Sequence, residues 1–193
     1  MSNGDASALH LTTAQLEAAL ASLSAAPKDA GRLDMIVRRP AVGEREVLQV
    51  GVLDLQQGLV GDTWRMRPSS RMPDRSPHPD MQINVMASRV IDLLAGQRDR
   101  WALAGDQLFL DMDLSAANLP SGTRLGIGEA VIEVTPQPHT GCGKFVERFG
   151  IDAMKFVNSP ARRSLNLRGI NARVVQPGTV RVGDLARKLP EGS

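Results

Sequence analysis

Three observations predict a mainly β fold, a barrel or a sandwich, with a few peripheral helices. From Leu33 onward, short runs rich in Val, Ile and Leu alternate with Gly, Pro and Asp, the pattern of strands joined by turns. Their number and spacing favour a barrel or a sandwich. Pro177-Gly178 reads as a tight turn between the last two runs, because proline presets φ at one turn position and glycine supplies φ above zero at the next.

The elements follow in chain order. Thr12 and Gln15 form a capping box, and Leu11 can staple to Leu16, so a helix starts here and runs toward Ala25, ended by Pro27 and Gly31. Its thin stripe of Leu16, Leu20 and Leu23 suits an element on the outside of the domain. Strands are expected at Leu33 to Arg38, Glu46 to Leu55, Gln82 to Val85, Gln107 to Asp111, Arg124 to Ile127, Ala130 to Thr135, Ile170 to Val175 and Thr179 to Val182. Helices interrupt them at Ala87 to Ala95, with Gly96 as C-terminal cap, and at Gly143 to Phe149, continued by Asp152 to Val157. The Arg- and Pro-rich stretch Arg65 to Asp80 has no periodicity and reads as a surface loop, of the length that often makes a lid or a binding loop. The domain plan is an N-terminal helical extension over 1–32, a β domain over 33–188 and a tail over 189–193.

At 193 residues the chain can bury one substantial core. Its net charge of +2 gives no electrostatic footprint for nucleic acid. Two tryptophans, four phenylalanines and no tyrosine leave little for stacking on single-stranded bases. A small-molecule partner is expected instead. The single cysteine excludes an internal disulfide and fits a reducing compartment, so the chain is expected in the cytoplasm. The first residues lack the basic and apolar regions of a signal peptide, and no stretch approaches the about 20 apolar residues of a membrane span.

The chemistry centres on that cysteine, in His139-Thr140-Gly141-Cys142-Gly143-Lys144. Cys142 follows a strand and a Pro-rich connection and precedes a helix, so it is expected at a helix N-terminus, where unpaired N–H groups favour a thiolate. Such a thiolate is a nucleophile or a soft-metal ligand. The competing reading is a small hydrophobe in the core. Lys144, Arg148, Arg162, Arg163 and Arg168, with Asn166 among them, form an anion-binding composition; taken singly, each can equally line a solvated face. His139 could bond the thiolate, carry a proton, cap the next helix or lie exposed. His10, His78 and His139 are too scattered for a zinc site, and no P-loop, nucleophile elbow or dinucleotide fingerprint is present.

Several segments together resemble a known family. Gly58-Leu59-Val60-Gly61-Asp62 is similar to an early G-x-x-G-D turn, and Gly105-Asp106-Gln107-Leu108 to a G-E-N-L segment. The likeness continues through Gly122 to Thr135, into the Cys142 turn, and over Arg168 to Asp184. In this order and spacing they resemble the MOSC domains, named for the C-terminal domain of molybdenum cofactor sulfurases, over roughly residues 33 to 188. The resemblance implies a barrel of mostly antiparallel strands, like that of pyruvate kinase. It also implies a pterin-based molybdenum cofactor in a basic pocket, contacted by Thr140, Gly141, Lys144, Arg148, Arg162, Arg163, Asn166 and Arg168. Cys142 inherits the role of metal ligand or persulfide carrier, with His139 beside it as a catalytic residue. One departure is plain: where the family commonly reads Gly-Asp-Arg-His, this chain has Gly61-Asp62-Thr63-Trp64. Arg65, Arg67 or Arg71 is expected to stand in for the missing basic pair.

The leading expectation is an oxidoreductase of N-hydroxylated or similar small molecules, served by a separate electron donor. The alternatives are a metal-free sulfur carrier loaded by a cysteine desulfurase and a non-catalytic binding module.

Overall fold

The computed structural model describes residues 10–190; the first nine residues and most of the expected tail lie outside this range. The core is a closed mixed barrel of seven strands, as the sequence predicts, with a small second sheet and a few helices against it.

The helical extension comes first. Thr12 caps α1 (Thr13–Ala18), with both halves of the capping box made. The helix breaks at Ala19, and α2 (Leu20–Leu23) stops short of Ala25. Leu16 is fully buried and Leu20 and Leu23 pack beside it against the core, as the apolar stripe of an outer helix requires. The barrel then opens with β1 (Ala30–Arg38), three residues before the expected boundary, so Gly31 lies in a strand and ends no helix. A Cβ on Gly31 would meet the Asp111 carbonyl at 2.5 Å, which is why the strand tolerates no side chain there.

The single strand expected over Glu46 to Leu55 is two. β2 (Glu46–Leu48) pairs with β1, whereas β3 (Val50–Asp54) pairs with β10 (Gly178–Arg181) and with β4 (Gly58–Leu59) to form the second sheet. Gln49 is the pivot, its carbonyl accepting the Val182 N–H at 3.0 Å. β5 (Ile83–Ala87) and β6 (Leu108–Asp111) are the parallel pair of the barrel. Their crossover is α3 (Ser88–Ala95), stopped by Gly96 at φ 68, and an unpredicted 3-10 segment, Arg98–Ala104. Val90, Ile91 and Leu94 are buried as the helical period requires.

β7 (Arg124–Ile127), β8 (Ala130–Val134) and β9 (Ile170–Gln176) continue the barrel antiparallel to one another. An unpredicted strand, β11 (Leu185–Lys188), closes it by pairing with both β7 and β1. Between β8 and β9 stand α4 (Gly143–Phe149) and α5 (Ile151–Val157), which hold Phe145, Phe149 and Phe156 against the core. The loop over 65–80 carries only short 3-10 turns at its ends, in line with its irregular sequence. No helix among the described residues is long and apolar enough to cross a membrane.

Candidate functional site

β8 ends at Val134, and the chain then runs through Pro136, Pro138 and His139 to Cys142, the N-cap residue of α4. The thiol is exposed, so the reading of Cys142 as a core hydrophobe is set aside. Its loop is held from behind by Asn158 at the end of α5: the Gly141 N–H donates to Asn158 Oδ1 at 2.9 Å, and Asn158 Nδ2 donates back to the Gly141 carbonyl at 3.2 Å.

Cys142 opens on a cleft of about 530 Å³ whose walls are cationic. Lys144 and Arg148 reach it from α4, Arg45 from the start of β2, and Arg67 from the loop after Trp64. Among the described residues none of these four has a carboxylate partner. Their mutual repulsion is legible in the guanidinium groups themselves. Desolvation, then Arg148 and Arg39, lowers the Arg45 pKa, and desolvation, then Arg39, lowers Arg67 to about 10 although much of its side chain stays in water. Arg45 Nε is buried without a partner.

Two buried ion pairs form the floor. Asp62 accepts from Arg39 Nε and Nη2, both at 2.7 Å, and from the Arg39 and Trp64 backbone N–H groups. Arg39 Nη1 donates on to the Gly105 carbonyl at 2.8 Å. Burial alone would raise the Asp62 carboxyl, but these donors outweigh it and hold it below the ordinary carboxylate range. Asp106 accepts from Arg168 Nη1 at 2.8 and 3.0 Å, and Arg168 Nη2 donates to the Ala104 carbonyl. Gly169 lets this strand entry pack tightly: at φ 110, a Cβ would stand 2.1 Å from the Val85 carbonyl.

The sequence profile of the MOSC domain matches residues 73–187. The chain belongs to the MOSC family. YuaD of Bacillus subtilis shares this MOSC fold with a TM-score of 0.59 at 20% identity, over 81% of this chain and 94% of its own. YiiM of Escherichia coli does so at 0.52 and 20%, over 84% and 71%, and YiiM of Geobacillus stearothermophilus at 0.54 and 15%, over 84% and 76%. No curated protein matches the sequence. The MOSC family is associated with the molybdenum cofactor and with sulfur transfer.

The structure brings His139, Thr140, Cys142, Lys144, Arg148 and Arg168 to the MOSC cleft. Gly141 is turned to Asn158 instead. Arg162, Arg163 and Asn166 are not at the cleft. Arg162 pairs with Glu17 of α1 and lies over the Phe156 ring. Arg163 and Asn166 line a neighbouring cavity of about 560 Å³ that meets the cleft at His139. Arg168 lines the cleft, but its charge is already neutralised by Asp106, so it anchors the floor and is no free cation. Of the three proposed stand-ins for the basic pair, Arg67 lines the cleft and Arg71 donates to Gln137 Oε1 at 2.6 Å.

Sequence reasoning missed Arg39 and Arg45 and the pairing of both aspartates. The available signal was that each Gly-Asp turn carries an acid between apolar strands, and a buried carboxylate requires a cation.

His139 neither caps a helix nor lies exposed. Its side chain is 11% exposed, with Nδ1 3.4 Å from Asp106 Oδ1 and without a hydrogen bond at that nitrogen among the described residues. Desolvation, then Arg168 and Arg39, lowers its pKa well below the ordinary value, so the folded protein holds it neutral. The unfolded chain takes up this proton near pH 6.5 and the folded chain does not. Stability from this group is therefore complete above that pH and lost as pH falls toward the folded value. The free energy of unfolding from denaturant titrations between pH 7 and pH 5 should fall in the wild type, by at most about 1.4 kcal/mol per pH unit from this group, and stay flatter in His139→Gln. Equal slopes would show that His139 is protonated in the fold.

Proposed function

We propose that this MOSC protein holds a pterin-based molybdenum cofactor in the cationic cleft, with the Cys142 thiolate as protein ligand to the metal. The observation that carries this reading is an exposed thiol opening on the same cleft as Arg45, Arg67, Lys144 and Arg148, none of which has a carboxylate partner among the described residues. The donor set fits the group. Soft thiolates select soft metals, and unpaired guanidinium groups take phosphate bidentately. One thiol cannot hold a metal alone, so a metal bound here brings other donors with it.

When bound, the cofactor would supply two-electron chemistry to N-hydroxylated or similar small molecules, with electrons from a separate donor protein. The chain's own contribution is binding and orientation. Arg45 and Arg148 would hold the phosphate, and Lys144, two residues past Cys142, keeps positive charge beside the sulfur. Arg39 and Arg168 keep their charges on Asp62 and Asp106, which leaves the floor rigid and close to neutral.

The test is metal analysis of protein purified from a host that makes the cofactor. Molybdenum approaching one per chain is expected in the wild type and almost none in Cys142→Ser, whose melting temperature should be unchanged because the side chain is exposed. Equal molybdenum in both proteins, or none in either, would refute the reading.

A persulfide carrier is the second reading. It is favoured by the openness of the thiol's flank, since a Cβ on Gly143 would meet nothing within 4 Å. Incubation with a cysteine desulfurase and cysteine should then add one sulfur to the Cys142 peptide by mass, and an unmodified peptide counts against it.

A further inference from the structure

Beyond Arg39 the cleft does not end. It continues into a lobe of about 300 Å³ with which it shares Arg39, Arg67, Pro68, Met81 and Asn84 as common wall. The lobe's far side is the loop over 65–80, and what it presents there is an aromatic ring among cations. Trp64 is half-buried and lines the lobe together with Arg67 and Arg71, while no carboxylate among the described residues lines it.

These groups are held in place. Asp62 caps the 3-10 turn Thr63–Met66 by accepting the Trp64 N–H at 2.8 Å, so the buried Asp62–Arg39 pair fixes where the indole starts. The Arg67 N–H donates to the Trp64 carbonyl at 3.0 Å, which delivers the second group on the same turn. Arg71 is steadied by Gln137. His78 Nδ1 accepts the Asp80 N–H at 3.2 Å, leaving Nε2 as a donor.

We infer that this lobe is the substrate subsite, in which a planar aromatic ring carrying an anionic group stacks on Trp64 while Arg67 and Arg71 bind the anion. An indole is the strongest stacking surface a protein offers, and guanidinium groups read carboxylate, sulfonate or phosphate by bidentate hydrogen bonds. The volume is at the lower end for a small-molecule site and suits one or two fused rings. The inference rests on the cofactor reading for the reaction that follows, but binding to the lobe does not require the cofactor. A pterin ring also combines a planar heterocycle with a phosphate, so the same chemistry could come from the cofactor itself, and the experiment separates the two sources.

The probe is 2-naphthoate, titrated calorimetrically into the cofactor-free protein. Its neutral analogue 2-naphthylmethanol and the non-planar decahydro-2-naphthoate serve as controls. The naphthoate should bind best, and each control should bind at least about tenfold more weakly, as expected from losing a charge-assisted contact or a stacked ring. Trp64→Ala should weaken the naphthoate by a similar factor, Trp64→Phe should restore most of the loss, and Arg67→Gln should abolish the preference over the alcohol. Unchanged affinity in Trp64→Ala and Arg67→Gln, or equal affinity for the three probes, overturns the assignment. In the second arm, Trp64→Ala from the cofactor-making host should carry as much molybdenum as the wild type. A loss of molybdenum assigns the ring to the cofactor and overturns a substrate subsite. An absence of molybdenum in the wild type defeats the cofactor reading and leaves the probe titration standing on its own.

Discussion

Asp106→Ala is expected to lower the free energy of unfolding by about 3–5 kcal/mol, the usual cost of leaving one partner of a buried ion pair uncompensated. The carboxylate is fully buried and the Arg168 side chain is only 7% exposed, so water cannot replace what the substitution removes. The Arg168 contact to the Ala104 carbonyl would survive, but it neutralises no charge. In a domain of this size the loss corresponds to a fall in melting temperature of about 10 °C or more. Urea midpoints should fall with the slope unchanged. The double variant Asp106→Ala with Arg168→Met should recover most of the loss, because replacing both partners with apolar groups removes the stranded charge. A fall below about 1 kcal/mol in the single variant would mean that solvent reaches the pair and that the floor of the cleft is soft.

Arg45→Gln is expected to act in the opposite sense on stability and strongly on binding. The fold gains little from the Arg45 charge, since burial first, and then Arg148 and Arg39, disfavour it, and its Nε has no hydrogen-bond partner among the described residues. Removing the charge should leave the melting temperature unchanged or slightly higher. The same group is one of the cations that give the cleft its affinity for anions, and a charge-assisted hydrogen bond to phosphate contributes about 1.5–3 kcal/mol. Pyrophosphate, as a stand-in for the phosphate of a cofactor, should therefore bind about ten- to a hundredfold more weakly to Arg45→Gln by calorimetry. Equal affinity, or a large loss of stability, would show that Arg45 supports the fold and not a ligand.

The parts of the MOSC fold that local sequence could reveal are those whose signal is local. Leu33 to Arg38, Ala130 to Val134 and Ile170 to Val175 are short runs rich in Val, Ile and Leu with Gly or Pro close to each end, so each announces a strand by itself. β11 does not. Of its four residues only Ala186 is buried, and its identity as a strand comes from having β1 on one edge and β7 on the other. Gln49 likewise separates two strands only because their partners lie in different sheets.

The site divides the same way. Gly and Pro punctuate the chain around Cys142 strongly enough to place it at a helix start, and that is where it stands. The cations that share its cleft could not be read by proximity in sequence. Arg39, Arg45 and Arg67 arrive from elements some hundred residues upstream, whereas Arg162 and Arg163, only about twenty residues downstream, are carried elsewhere by the turn after α5. Composition near Cys142 pointed to Lys144, Arg148 and Arg168, which line its cleft, and to Arg162 and Arg163, which do not.

The clamp between Asn158 and Gly141 ties the footing of the thiol to the seating of a helix. α5 carries Asn158, and α5 is in turn held by α1, through the Thr13 N–H donated to Asp152 Oδ2 at 3.2 Å. α1 lies upstream of the region that defines the family match, so a segment outside the shared MOSC profile helps to seat the loop that carries Cys142. Two MOSC proteins with identical cleft residues could thus differ in the seating of that loop through nothing more than how an N-terminal helix packs on the far side.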